Sequence, residues 1–237
     1  EYRNHRIWSR WQDQMVSFWA VKAFNWDNPF VTSVNDKIPV NDITKAQLYI
    51  QYGGSIPGEE VYHTWKVEAD ECLNASVNGN TLTIQPTLDA VGKDNRLKII
   101  AYFENGEQIV SKEMHISVTD SSLMVYNNKQ FELADNIDPN RFLSKRDGWI
   151  WDSWNTQHIW LKDGTIYEIG DNWEDWYKLT SLKLTHVNSN ITSLNGHFLR
   201  ECGNLVAVDL SGLTNIRKID KYFLRECSSL QWVALPN

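Results

Sequence analysis

The pentapeptide Phe-Leu-Arg-Glu-Cys is spelled twice, at 198–202 and 223–227, and the match extends outward on both sides. Ile191 and Leu194 return as Ile216 and Ile219; Phe198, Leu199 and Cys202 as Phe223, Leu224 and Cys227; Leu205, Val208 and Leu210 as Leu230, Val233 and Leu235, always 25 positions on. A degenerate copy lies upstream. Ile166 and Ile169 precede Ile191 and Leu194 by 25, and after a one-residue deletion Trp173, Trp176, Leu179, Leu182 and Leu184 take the places of Leu199, Cys202, Leu205, Val208 and Leu210. Apolar residues at such a period predict a solenoid in which each turn of chain buries one face on the next, and three copies are about the minimum for a stable array.

Within the unit, Phe198, Leu199, Cys202 and Leu205 recur at i, i+1, i+4 and i+7, which predicts a short helical segment with these four on one face and Arg200 and Glu201 in water. The following "LVAVDL" places Val208 and Leu210 inward with the period of a strand. This order of Ile, then Phe-x-x-x-Cys-x-x-Leu, then a strand ending in Leu-Pro, visible in "IRKIDKYFLRECSSLQWVALP", resembles the BspA-like leucine-rich repeats of bacterial surface proteins. The likeness covers residues 155–237. It departs from the family where "SGLTN" lacks the usual Pro and where Trp173 and Trp176 replace Leu and Cys. The resemblance implies a bacterial surface protein contacting host matrix, cells or glycans.

Two expectations concern the ends of this array. The strand closing the third copy leaves an open face, so either the natural protein continues or this coil meets a partner, self-association included. At the other end "QHIWLKDGTIYEI" predicts a hairpin around Asp163-Gly164 that supplies the first strand of the stack, with "DGWIWDSW" as its lid.

Residues 15–120 have a different rhythm. Short runs such as "MVSFWAV", "AQLYIQY", "YHTWKVEA", "TLTIQ", "LKIIAYF" and "MHISV" predict about seven strands, and Asn78-Gly79 and Asn105-Gly106 suit tight hairpins. The expected fold is a two-sheet sandwich with Trp65 between its layers. "NGNTLTI" followed by "LKIIAYF" resembles bacterial immunoglobulin-like domains, and a fimbrillin-like sandwich has a similar rhythm; both imply a spacer. The chain is therefore expected to hold two domains: an arm at 1–14, an all-β immunoglobulin-like sandwich at 15–120, a junction and solenoid cap at 121–154 with a hairpin around Asn127-Asn128, and leucine-rich repeats at 155–237.

Composition narrows the function. The formal charge of -7 is spread without the basic cluster that phosphate contacts need, which argues against nucleic acid as partner. The longest apolar runs are strand-sized, so no segment here is expected to cross a membrane, and a lipid anchor would lie outside this sequence. Cys72, Cys202 and Cys227 are too few for a disulfide scaffold or a four-cysteine zinc site, and Cys202 and Cys227 fall on stacked inward positions as free buried thiols. The six histidines lack compact ligand spacing, "YGGSIPGEE" lacks the Gly-Lys-Ser/Thr ending of a phosphate loop, and the acids of "GDNWEDW" suit a helix start. No constellation argues for an enzyme, a metal or a cofactor.

The aromatic residues are the better lead. Six of the twelve tryptophans lie between Trp149 and Trp176, and Trp149, Trp151 and Trp154 form either a carbohydrate platform or a plug for the solenoid end. Repeat register adds a second surface. With Leu182, Val208 and Val233 inward, Ser181, Ala207 and Trp232 make one outward column and Lys183, Asp209 and Ala234 the next. Aligning Ile159 and Leu161 with Leu182 and Leu184 adds His158 and Trp160, putting Trp160 and Trp232 at opposite edges of an outer face with a Lys183–Asp209 pair between them. These features predict a non-enzymatic cell-surface or secreted adhesion protein whose repeats contact a host protein or glycan. The alternative is a structural component of a fibre, pilus or virion.

Overall fold

Strand periodicity dominates the computed structural model of the chain, which describes residues 19–52, 63–103, 106, 108–135, 137–141, 157–169, 176–185, 190–195 and 198–236. The fold is β-rich, with strands in several sheets and almost no helix among these residues. The arm at 1–14, the glycine-rich 53–60, the acids of 171–175, and Trp149, Trp151 and Trp154 with the lid read from them lie outside the described residues. Two compact units emerge: Glu1–Asn28 with Lys37–Thr119, and Pro29–Asp36 with Asp120–Asn237.

The first unit holds β1 (Trp19–Asp27), β2 (Ile38–Pro39), β3 (Thr44–Tyr52), β4 (His63–Ala69), β5 (Ser76–Asn78), β6 (Thr81–Ile84), β7 (Asn95–Phe103), β8 (Gln108–Val110), β9 (Met114–Ile116) and β10 (Val118–Thr119). One antiparallel sheet runs β1-β3-β6-β5, a second runs β4-β7-β8 with β9 also on β7, and β2 pairs parallel with β10. Alternation decides what is buried. Thr44, Ala46 and Leu48 of β3, Leu82 and Ile84 of β6, and Leu97, Ile99 and Ala101 of β7 are all shielded, while Lys45 and Gln47 between them are exposed. Each fully buried Leu or Ile stabilises the sheet by about 1.5–3 kcal/mol.

Two polar details fix this unit. Asn95 is buried at the start of β7, and its amide nitrogen donates to the carbonyls of Ala90 (2.8 Å), Lys93 (3.2 Å) and Ile116 (3.0 Å), so its burial leaves no donor unsatisfied. The β5–β6 turn has Gly79 at φ +56°. Trp65 is half-buried, and its indole N–H donates to Asn80 Oδ1 of that turn at 2.9 Å.

The second unit holds β11 (Leu123–Tyr126), β12 (Lys129–Glu132), β13 (Gln157–Trp160), β14 (Ile166–Ile169), β15 (Leu179–Lys183), β16 (Ser193–Leu194), β17 (Ala207–Asp209), β18 (Lys218–Ile219) and β19 (Trp232–Ala234). A five-stranded sheet runs β12-β11-β15-β17-β19, antiparallel through β15 and parallel from there on. Leu182, Val208 and Val233 share one row of it, as do Lys183, Asp209 and Ala234. The registers expected from the repeat are therefore present. β16 and β18 form a second parallel ribbon, Leu194 beside Ile219. Where the turn after β17 crosses the previous one, Gly212 is required: a Cβ there would stand 2.2 Å from the Leu184 carbonyl oxygen.

The repeated pentapeptide is not helical. Leu199 and Leu224 both have φ +51°, Glu201 and Glu226 both +64°, so each copy is a pair of tight turns with left-handed residues. The apolar residues still go inward. Phe198, Leu199, Cys202 and Leu205 are fully buried, Phe198 stacks on Phe223 with centroids 5.8 Å apart, and Leu224 N–H donates to the Phe198 carbonyl at 3.0 Å. Helical spacing was thus satisfied by another backbone path, closed by hydrogen bonds within each copy, such as Gly203 N–H to the Glu201 carbonyl at 2.9 Å, and between copies, such as Glu201 N–H to the Arg225 carbonyl at 2.7 Å. Arg200 is not in water either. Its side chain is 13% exposed, ion-paired to Glu201 at 2.9 Å and packed on the Tyr222 ring at 5.3 Å.

The Asp163-Gly164 hairpin forms as β13–β14, with Gly164 at φ +87°, but it does not supply the first strand of the stack. That place belongs to β11, which reaches it through a β11–β12 hairpin whose turn residues Asn127 and Asn128 have φ +50° and +57°. No helix among the described residues is long and apolar enough to cross a membrane.

Candidate functional site

The outer face of the five-stranded sheet is assembled by register. One row reads Gln130, Val125, Ser181, Ala207, Trp232; the next reads Glu132, Leu123, Lys183, Asp209, Ala234. Paired residues project to the same side of a sheet, so these ten side chains share one surface. Lys183 Nζ lies 2.8 Å from Asp209 Oδ2, as the repeat predicted.

This face is not the open surface expected from the sequence. Ser181, Lys183, Ala207 and Asp209 are buried, and only Trp232, 44% exposed, remains in contact with solvent to a large extent. The cover is Phe30, a residue between β1 and β2 that belongs to the second unit. Its ring packs on Leu123 and Ala207, stands 5.2 Å from Lys183 Nζ and meets Trp232 edge to face at 6.0 Å. Gln130 Nε2 donates to its carbonyl at 2.8 Å. A turn holds the segment in shape: Asp36 Oδ2 accepts from Thr32 N–H (2.6 Å), Thr32 Oγ1 (2.7 Å) and Ser33 N–H (2.8 Å).

Burying two charges is tolerable only when both are hydrogen-bonded. Burial alone would raise the Asp209 carboxyl; the Lys183 ammonium and the Ser211 hydroxyl and N–H, at 2.6 and 2.9 Å from Oδ1, reverse this and hold it below the usual carboxylate range. The pair is therefore ionised, internally neutralised and shielded by an aromatic ring. Such an arrangement shapes and stiffens a surface; it offers no proton or nucleophile to a ligand.

The other predicted residues do not join it. Trp160 lies on β13, in a separate two-stranded ribbon linked to β12 through a Leu133–Leu161 bridge, so Trp160 and Trp232 are not opposite edges of one sheet. The reason is the β11–β12 hairpin, which fills the positions the alignment had given to Ile159 and Leu161. His158 faces Glu168 across the ribbon, Nδ1 to Oε1 3.8 Å. Trp149 and Trp151 lie outside the described residues.

Both cysteines of the repeats are free thiols. Burial pushes Cys202 well above its ordinary value and Cys227 to about 11, and Cys227 Sγ donates to the Leu199 carbonyl at 3.0 Å. Protonated at neutral pH, they pack rather than react. Among the described residues no group of three or more His, Cys, Asp or Glu side chains converges as a metal site would require.

Sequence reasoning missed Phe30 and Ser211. The signal for Phe30 was an apolar Phe-Val pair inside the turn-rich "NPFVTSVND", outside any alternating strand. Its hydrogen-bond partner stands 100 residues away. No protein-family model, no curated protein and no solved structure matches this chain.

Proposed function

We propose that this chain is a non-enzymatic surface-displayed or secreted binding protein, in which a BspA-like leucine-rich-repeat module at 155–237 contacts a host protein or glycan and an immunoglobulin-like sandwich at 15–120 acts as spacer. The observation that carries the reading is the placement of exposed apolar side chains. Of the eleven large exposed hydrophobics among the described residues, Ile219, Tyr222, Trp232, Val233 and Leu235 all fall on the last repeat. Clustered exposed apolar groups mark contact surfaces, and Trp is prominent among residues that dominate interfaces.

Phe30 adds to this by buttressing Trp232 from one side, so the ring is held before any ligand arrives and little rotamer entropy is lost on binding. A glycan array and a panel of extracellular-matrix proteins test the reading. Trp232→Ala is expected to weaken the strongest interaction found by on the order of tenfold or more, the range of a central aromatic contact, with Trp160→Ala having little effect. Unchanged binding in Trp232→Ala sinks the assignment. The second reading, a component of a surface fibre, pilus or virion, is tested by concentration-dependent light scattering.

A further inference from the structure

The repeat does not require the charges of Lys183 and Asp209. Their row continues into the third copy as Ala234, so a small apolar side chain serves the same place in the next coil. Packed apolar groups can often replace a buried ion pair without loss of stability, because stripping water from two charges costs about what their attraction returns. This pair is nevertheless closely held. Lys183 Nζ is 2.8 Å from Asp209 Oδ2, the two side chains are 9% and 6% exposed, and the Phe30 ring centre lies 5.2 Å from the ammonium.

The two carboxylate oxygens have different surroundings. Oδ2 faces the amine, while Oδ1 accepts from the Ser211 N–H at 2.9 Å and from the Ser211 hydroxyl at 2.6 Å. Two donors on one oxygen are what stabilises the charge that develops on a carbonyl under attack. The attacking atom is at hand. Nζ is hydrogen-bonded to an oxygen one bond from Cγ, so a turn about the last lysine torsion carries it toward the roughly 3–3.5 Å of a near-attack geometry. Lys183 stands beside Asp209 in the parallel register of β15 and β17, so the backbone is already in place.

The geometry points to a covalent modification that the chain makes on itself: an amide bond between Lys183 Nζ and Asp209 Cγ, tying β15 to β17. The step balances within the pair. The ammonium passes one proton along the hydrogen bond to Oδ2, and the neutral amine attacks Cγ, forming the C–N bond. Negative charge gathers on Oδ1, between the two Ser211 donors. The nitrogen then gives a second proton to Oδ2, the Cγ–Oδ2 bond breaks, and one water leaves. The third hydrogen stays on the amide nitrogen, and Oδ1 becomes the amide oxygen. Nothing is oxidised or reduced, and no co-reactant is consumed.

Phe30 serves this chemistry as a lid. Its ring keeps bulk water from the pair, which strengthens the Ser211 contacts and holds off the reagent that would reverse the step. Because the pair is ionised at rest, the reacting neutral form is the minor one, and the bond forms slowly after folding. Freshly folded chain holds the ion pair; aged chain holds the amide. The link joins successive repeats whatever ligand the module binds.

The test is the intact mass of the reduced, denatured 237-residue chain, sampled at increasing times after refolding. The mass should fall by one water. Trypsin should then leave Lys183 uncut and release residues 179–200 joined to 201–217 as one branched peptide. Lys183→Arg, which keeps a cation but lacks the lysine amine, should retain its full mass and give separate peptides. Ser211→Ala should lose water on the order of a hundredfold more slowly, the effect of removing one such donor. Full sequence mass in aged wild-type chain overturns the proposal without reference to any variant. So does a water lost while trypsin still cuts at Lys183, which marks dehydration elsewhere such as an aspartyl imide, and so does equal water loss in Lys183→Arg. Water loss at the wild-type rate in Ser211→Ala overturns the part given to Ser211.

Discussion

Phe30→Ala removes a single ring from a segment 93 residues ahead of the nearest strand of the sheet it covers, β11, which begins at Leu123. Phe30 is 2% exposed, and truncating a buried Phe typically costs about 3–5 kcal/mol through lost transfer energy and residual cavity. The lower end applies here. Trp232 borders the vacated space and is partly free to collapse into it, and Lys183 beneath the ring regains water as it loses its aromatic contact. About 3 kcal/mol corresponds to a roughly hundredfold rise in the population of opened sheet. Native-state hydrogen exchange reads this directly at Leu184 and Leu210, whose N–H groups donate to the carbonyls of Asp209 and Ala234 at 2.8 Å. Both should exchange roughly a hundredfold faster in Phe30→Ala and only a fewfold faster in Phe30→Leu, which keeps most of the buried volume. Exchange at wild-type rates in Phe30→Ala would refute the idea that this ring completes the sheet.

Removing one charge of the buried pair and removing both should differ sharply. Lys183→Met is expected to cost about 3–5 kcal/mol by leaving Asp209 buried without its cation, and Lys183→Met with Asp209→Asn far less, in urea melts. The depressed Asp209 carboxyl also gives a sign in pH: its contribution is complete above the unfolded value of about 3.9 and is lost as pH falls through the lower folded value, so acid melts should show that component in the wild type and not in Asp209→Asn. Glu226→Gly separates turn from helix by its direction. At φ +64° glycine relieves roughly 1–2 kcal/mol of left-handed strain against a similar or smaller loss in chain entropy, so stability should rise by about 0.5 kcal/mol, whereas in a helix it would fall by about 1 kcal/mol.

The sequence carried register better than backbone path. The pairing of Leu182 with Val208 and Val233 followed from repeat arithmetic, since inward residues in successive copies must stack if each turn buries the next. Hairpins at Asp163-Gly164 and Asn127-Asn128 were legible because their turns require residues that tolerate positive φ. The pentapeptide misled for a definite reason: spacing at i, i+1 and i+4 records which side chains go inward, and a helix and a pair of left-handed turns both deliver it. The covered face was hidden because the covering residue is distant in sequence, although one clue was present. β11 reads Leu-Met-Val-Tyr, apolar without alternation, and a strand of that kind is shielded on both sides.

Distance along the chain also orders the assembly in time. Contacts between successive repeats span 25 or 26 residues, so each added turn closes a loop of the same modest entropy. Phe30 reaches Gln130 across 100 residues and Trp232 across twice that. On a ribosome it emerges before the sheet it covers and then waits, its docking ground unfinished until the third repeat has been synthesised. The contact with Trp232 thus joins residues synthesised some two hundred positions apart, and until it forms the nascent chain carries an uncovered aromatic ring and an uncovered ion pair, both fit for a chaperone to hold.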